Sequence, residues 1–372
     1  MCYNWAHREP AAPWRHIVMA FAMLHYRHSK INARMIQPSI SVAPMMGCTD
    51  RHFRYLLRLI SPRALLYTEM VTTGALLNND PERFLQHTQD TPCALQLGGN
   101  QPDALGRSAK LAEEFGYQEV NLNVGCPSDR VQEGGIGACL MATPRLVAEC
   151  FDAMRGNTAL PVTIKSRIGI DNQDSWDDFH KFISTLYNAG CRDFIVHARK
   201  AILRGLSPKE NREIPPLKYD FVYRAAAAFP DARFTLNGGI KTVPETQAIL
   251  KQVPAAMLGR AVYDNPWLLS DLDQAIYGDA PAERRTVLEH FRDYMMTELS
   301  RSTRLKHITR HLLTLFQGQP GARAYRRYLS EHMYDDHADI TIFDEACQLV
   351  RPMHEREANR LAGPDQERSQ YV

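Results

Sequence analysis

The sequence predicts an α/β fold, a (β/α)8 TIM barrel followed by a small all-helical domain. Three observations carry this. Eight short apolar, β-branched runs recur between residues 40 and 259. Segments with apolar residues at three- and four-residue spacing separate them, the signature of βα units around a parallel sheet. After Ile276 the strand pattern stops and only the helical one continues. Eight repeats suit a closed barrel better than an open doubly wound sheet.

The predicted strands are 40–43, 64–68, 94–97, 119–123, 162–166, 194–197, 234–237 and 256–259. Between them, 102–115, 143–155, 177–188, 218–229 and 243–252 read as helices. Beyond the barrel, 284–299, 301–316, 322–332 and 342–357 do so. The resulting division is a basic N-terminal extension at 1–36, a barrel at 37–280, a helical domain at 281–357 and a polar tail at 358–372. Most strands end in polar, Gly or special residues: Pro44-Met-Met-Gly, Thr68-Glu-Met, Gln96-Leu-Gly-Gly, Asn123-Val-Gly-Cys-Pro, Lys165-Ser-Arg, His197-Ala-Arg-Lys, Asn237-Gly-Gly and Gly259-Arg. In a barrel these tips converge on one mouth, where chemistry sits, although glycine at several of them also suits a tight βα turn.

Composition narrows the function. The 372 residues are 44% hydrophobic and 23% charged, as in globular proteins, so a disordered or fibrous chain is excluded. The apolar run at 17–24 is far short of the ~20 residues a membrane span needs. Eight cysteines without CxxC spacing argue against zinc and against a disulfide framework, and reduced thiols point to the cytoplasm. Net charge is only +2, but residues 301–330 hold seven Lys or Arg and no Asp or Glu. With Tyr325 among them, such a block is the kind of face that binds a phosphate backbone, or else an ordinary solvated helix.

Cys126 lies on a Gly-Cys-Pro turn at a strand end. A free Cys is usually a buried structural thiol. As a nucleophile it would need a base, and the adjacent turn has none. A thiol in water is protonated at neutral pH, so a proton donor is the easier role. Asn237-Gly238-Gly239 and Gly259-Arg260 end the seventh and eighth strands, where this barrel type commonly builds a phosphate site. Tight turns explain either motif equally well taken singly. Neither a dinucleotide fingerprint nor a P-loop occurs. Lys165 and Arg167 share one face of the fifth strand, a costly pairing unless an anion meets it or both reach solvent. His197, usually a packing residue in such a place, joins Lys165, Gln96 and the glycines in a ring of polar groups. A phosphate plus donors to a flat heterocycle suggests flavin mononucleotide.

The motifs Pro44-Met-Met-Gly-Cys-Thr-Asp, Asn121-Leu-Asn-Val-Gly-Cys-Pro-Ser, His197-Ala-Arg-Lys-Ala, Gly205-Leu-Ser-Pro-Lys-Glu-Asn-Arg-Glu-Ile-Pro-Pro-Leu, Leu236-Asn-Gly-Gly-Ile and Leu258-Gly-Arg-Ala resemble those of the tRNA-dihydrouridine synthases. The Ser-Pro-Lys-Glu-Asn-Arg insertion is similar to that of the bacterial A subfamily, and the resemblance spans about residues 38–335. It implies an NAD(P)H-dependent FMN oxidoreductase that reduces uridine in the tRNA D-loop, at positions 20 and 20a. Carried onto this sequence, it implies that Pro44, Met45, Met46, Gln96, Lys165, His197, Asn237, Gly238, Gly239, Gly259 and Arg260 bind FMN, and that Cys126 is the catalytic proton donor. Asn123 and Arg167 would contact the uracil, and Lys209 and Arg212 the tRNA. The basic block adds Arg323 and Arg326 as tRNA contacts. NADPH or NADH would serve as reductant. A cytoplasmic monomer with tRNA as partner, without metal, membrane or protein partner, is the expectation. A flavin barrel reductase of a small pyrimidine is the alternative, set apart by lacking need of the basic block. A non-enzymatic RNA-binding barrel, which would lack a yellow cofactor, is a third.

Overall fold

The computed structural model describes residues 39–350 except residue 88. The extension expected at 1–36, the tail at 358–372 and the last part of the helix expected at 342–357 lie outside the described residues. Eight parallel strands close into a barrel in chain order: β1 (Ile40–Val42), β2 (Leu65–Thr72), β3 (Cys93–Gly98), β4 (Glu119–Val124), β5 (Val162–Arg167), β6 (Asp193–His197), β7 (Arg233–Asn237) and β8 (Ala255–Leu258), with β8 pairing back onto β1. All eight predicted strands are present. The second runs four residues past its predicted end, and its register against β3 shifts between Tyr67 and Met70, an irregularity that accommodates the extra length.

The longer helices of the barrel are α1 (Arg51–Ile60), α2 (Pro102–Glu114), α3 (Pro144–Asn157), α4 (Trp176–Asn188), α5 (Tyr219–Ala228), α6 (Val243–Leu250) and α7 (Leu268–Tyr277). Their starts are written in the chain. Asp50 accepts from the backbone of His52 and Phe53, while Ser175/Asp178 and Thr242/Glu245 form reciprocal capping boxes. Strand residues facing these helices, such as Val42, Leu66, Leu95, Leu122, Ile164, Val196, Leu236 and Leu258, are buried in one continuous apolar core. Each contributes about 1.5–3 kcal/mol relative to exposure.

The opposite face of the same strands lines the barrel interior. Its floor combines a small apolar cluster that includes Tyr67, Ala94, Ile195 and Met257 with the polar side chains of Glu119 and Thr163. Toward the strand tips the inward positions turn polar. The register sets Gln96 beside Asn121, Asn123 beside Lys165, Arg167 beside His197 and His197 beside Asn237.

Three longer helices follow the barrel among the described residues: α8 (Arg284–Ser300), α9 (Ala322–His332) and α10 (Ile340–Gln348). Of these, α8 packs on α1, and the segment between α8 and α9 meets Trp267 and Asp50. The His52 imidazole meets the Tyr294 hydroxyl at 2.7 Å, and the Trp267 indole donates to the Leu315 carbonyl at 2.8 Å. Asp50 receives Arg310 at 2.6 Å and His311 at 2.8 Å.

Two expectations here are corrected. The helix predicted over 301–316 is not continuous. The chain leaves α8 with Ser302 at φ +66°, forms only a short helix at Leu305–Thr309, and then turns until Gly321. The last helix begins two residues early, because Asp339 caps it through the Thr341 amide, and it stops at Gln348, short of the predicted end at 357.

The basic block is also less open than its sequence implies. Carboxylates from outside it pair with three of its members: Glu298 with Arg301, Asp336 with Arg304, and Asp50 with Arg310. Tyr325 is fully buried and donates to the Leu312 carbonyl, so it packs the helices and offers no surface for a base.

Candidate active site

Cys126 sits just past β4 on a turn held from three sides. The Asn123 carboxamide oxygen accepts the backbone N–H groups of Gly125, at 3.1 Å, and of Cys126, at 3.0 Å. The Cys126 carbonyl accepts from Ala138 at 2.9 Å. That contact needs Gly137, whose φ is +78° and where a Cβ would lie 2.5 Å from the Cys126 oxygen. The third hold is Arg167, which donates to the carbonyls of Gly125 (3.1 Å), Lys200 (3.1 Å) and Asn211 (2.8 Å). One buried guanidinium thus ties the turn to the loop after β6 and to the polar insertion beyond it. The half-buried Cys126 thiol lies 3.5 Å from the Ser128 hydroxyl.

Lys165, beside Asn123 on β5, donates to the Asn237 carboxamide at 3.1 Å, and Asn237 donates to the Met257 carbonyl at 2.8 Å. No carboxylate pairs with Lys165 among the described residues. Burial, and then the Arg167 charge, draw its ammonium down to about 7. His197 faces the same volume, and burial with the nearby Arg167 and Lys165 charges holds its imidazole neutral. Its ring approaches Gly238 so closely that a Cβ there would stand 2.5 Å from the imidazole, at φ +112°. Gly239 follows directly, also at positive φ, and at Gly259 a Cβ would lie 3.5 Å from the Met45 sulfur. Pro44 begins that β1 loop, where the Thr49 hydroxyl anchors the Met45 amide at 3.0 Å and Met46 is 63% exposed. Gln96 lies deeper, 1% exposed, with both ends of its carboxamide engaged by Asn121 and Asn123.

The predicted flavin residues at the tips of β5, β6 and β7 therefore come together around Lys165 and His197, and Met45 meets Gly259. Arg260 differs in one respect: Glu213 of the insertion holds its guanidinium at 2.6 Å. Among the predicted tRNA contacts, Lys209 is exposed, while the Nε of Arg212 is buried without a partner among the described residues. Arg323 and Arg326 are exposed on α9 and not ion-paired among the described residues, as is Arg327. Among the described residues the site therefore offers an ammonium without a carboxylate and two buried guanidinium N–H groups without a partner, those of Arg199 and Arg212. Glycine-lined tips complete the set. Such donors suit an anionic, phosphorylated heterocycle.

Sequence reasoning missed several residues. Glu119 and Thr163 continue the polar run of β4 and β5 into the barrel floor, where Thr163 donates to the Glu119 carboxylate at 2.6 Å. Asn211, fully buried, receives the Ile202 amide at 2.7 Å and donates to the Ile202 carbonyl at 2.9 Å. Glu119 and Asn121 are signalled by polar residues alternating on a strand, whereas Asn211 sits in an insertion whose polarity looks like solvent exposure.

The family model described as dihydrouridine synthase matches residues 41–350. A Shewanella oneidensis protein named tRNA-dihydrouridine(20/20a) synthase is 51% identical over 322 residues, covering 86% of this chain and 96% of its own length. Proteins of the same name are 54% identical in Pseudomonas putida (84% of this chain, 94% of that protein) and 53% identical in Escherichia coli K12 (83% and 91%).

Proposed function

This chain belongs to the dihydrouridine synthase family, and from that membership and its barrel mouth we infer that it reduces uridine in tRNA to 5,6-dihydrouridine, at positions 20 and 20a. The single observation that carries the reading is the Cys126 turn, clamped by Asn123 and Arg167 beside the Lys165 ammonium.

The residues fit FMN as cofactor. Gly238 and Gly239, both at positive φ, let the β7 tip turn tightly against His197 and Leu217 with its backbone bare, and Lys165 is a cation with no carboxylate partner among the described residues. Lys165, His197, Asn237, Gly238, Gly239 and Gly259 would hold the flavin, with Pro44, Met45 and Met46 covering it from β1 and Gln96 below. Arg260, or Arg199 with its partnerless Nε, would meet the phosphate. Bound and reduced, FMN is a hydride source for C6 of uracil. NADPH or NADH would restore the reduced form.

The chain's own residues do the rest. The C5–C6 bond of uracil accepts hydride poorly, so its carbonyls must be polarised by donors. Arg167 and the second N–H of the Asn123 amide, which has no partner among the described residues, would serve as these donors. Cys126 then gives its proton to C5 as a general acid and regains one from solvent. Its backbone N–H, fixed on Asn123, sets where the thiol points. Reaching the mouth requires extruding the uridine from folded tRNA, at a cost of a few kcal/mol. Lys209 and Arg212 above the mouth, with Arg323 and Arg326 on α9, would offset it through phosphate contacts.

The test is direct. Purified protein with NADPH should convert unmodified tRNA, with dihydrouridine mapped by mass spectrometry to positions 20 and 20a. Reduction of free uridine as fast as tRNA would favour the small-pyrimidine alternative.

A further inference from the structure

Six side chains form one continuous hydrogen-bonded line through the barrel interior. The backbone amide of Cys126 donates to Asn123 Oδ1 at 3.0 Å, and Asn123 Nδ2 donates to Gln96 Oε1 at 2.8 Å. Gln96 Nε2 donates to Asn121 Oδ1 at 2.8 Å, and Asn121 Nδ2 to the Thr163 hydroxyl at 2.8 Å. The Thr163 hydroxyl donates to Glu119 Oε1 at 2.6 Å, where the Tyr67 hydroxyl also donates. Every bond runs the same way, from the Cys126 turn down to one carboxylate.

The sense is forced. A backbone N–H can only donate, so Asn123 must turn its oxygen to the Cys126 turn and its nitrogen to Gln96. That choice fixes the Gln96 carboxamide, which fixes that of Asn121. The Thr163 hydroxyl, receiving from Asn121, is left to donate, and needs an acceptor. Glu119 supplies it, on the inner face of β4 where the Tyr67 hydroxyl also reaches it. Burial pushes the Glu119 carboxyl up to about 7 against the pull of its two hydroxyl donors, yet Oε1 accepts in either protonation state. The two ends must agree: without the Thr163 hydroxyl or its acceptor a buried donor is left unpaired at the foot of the line, and reversing the amides above to relieve it would turn the Asn123 N–H groups against those of the Cys126 turn.

We propose that Glu119 and Thr163 are positioning residues of the reaction, fixing through this line the amide orientations of Gln96 and Asn123 and so the presentation of Cys126. This deepens the functional reading above and rests on it. It assigns a task to a buried carboxylate at the far end of the barrel from the chemistry.

The experiment compares wild-type holoenzyme with Thr163→Val, which keeps the shape and removes the hydroxyl, and Thr163→Ser, which restores it. Two quantities are read: turnover on tRNA, and the iodoacetamide alkylation rate of the Cys126 peptide by mass spectrometry. The expected result for Thr163→Val is a kcat at least tenfold lower with KM for tRNA within twofold, and Cys126 alkylation at least threefold faster. Thr163→Ser should return both to within twofold of wild type. Unchanged values in folded Thr163→Val, or a loss that Thr163→Ser does not recover, would overturn the proposal. Should Thr163→Val fail to fold, Glu119→Asp, which retracts the acceptor by one methylene, is read the same way, and Glu119→Gln, which keeps an oxygen, should stay near wild type. A wild-type protein that forms no dihydrouridine would defeat the functional reading alone, because the alkylation rate needs neither flavin turnover nor tRNA.

Discussion

Lys165 makes flavin binding depend on pH in a direction the structure fixes. Burial and the Arg167 charge lower its ammonium to about 7 from an ordinary lysine value of 10.5. Its only side-chain partner among the described residues is the neutral Asn237 oxygen. An anionic flavin would favour the charged form and raise that value, so the complex holds a proton that the free protein loses above pH 7. The affinity is then full below pH 7 and falls as pH rises, until the bound lysine itself titrates. A tenfold change in charged fraction per pH unit corresponds to about 1.4 kcal/mol, so Kd for FMN should rise about tenfold per unit between pH 7.5 and the bound-state value. Fluorescence titration of protein stripped of flavin, in buffers from pH 6 to 9, measures this directly. Lys165→Met should bind FMN more weakly and with a nearly flat profile. A flat profile in the wild type, or the same slope retained in Lys165→Met, would refute the placement of an uncompensated ammonium against the flavin.

Three other perturbations test separate parts of the account. Removing both Arg323 and Arg326 as alanines should weaken tRNA binding and make its salt dependence shallower by about one unit of log–log slope per lost phosphate contact; unchanged affinity in filter binding would make that face of α9 a solvated one. Gly238→Ala places a Cβ 2.5 Å from the His197 ring in a backbone conformation that favours glycine, so FMN affinity should fall at least tenfold, and wild-type affinity by titration would show the tip to be pliable. Asp90 is fully buried and joins Arg54 at 2.6 Å and His87 at 2.7 Å. Asp90→Ala strands that guanidinium and should cost about 3–5 kcal/mol, read in denaturant unfolding, whereas a loss under 1 kcal/mol would mean that water or another group compensates.

Much of the fold was legible because a barrel strand buried on its outer face must repeat apolar residues at every second position, and all eight did. The mouth was legible for a related reason. Polar residues at the ends of buried strands, such as Lys165, His197 and Asn237, have no role in packing the outer layer. The interior line was harder to read. Glu119, Asn121 and Asn123 alternate on β4, which places them on one face, but only the closed barrel brings Gln96 and Thr163 of the flanking strands against them. Register of that kind is a property of pairing between strands and is absent from any one of them.

The helical part misled for a different reason. Its basic residues were grouped by position in the chain, while the carboxylates that pair with them, Asp50, Glu298 and Asp336, lie outside the block. Tyr325 shared a stripe with Ala322 and Leu329 at three- and four-residue spacing, so its burial was signalled by periodicity, and Arg323, Arg326 and Arg327 were left on the outer side.

The account stands most directly on the Cys126 thiol as the source of the C5 proton. Wild-type and Cys126→Ala holoenzymes, each reduced beforehand under anaerobic conditions, would be mixed with unmodified tRNA while flavin reoxidation is followed by absorbance and dihydrouridine by mass spectrometry. The account predicts that the alanine variant binds FMN and tRNA as the wild type does, yet reoxidises at least a hundredfold more slowly and accumulates almost no dihydrouridine. Equal rates in the two proteins would contradict it.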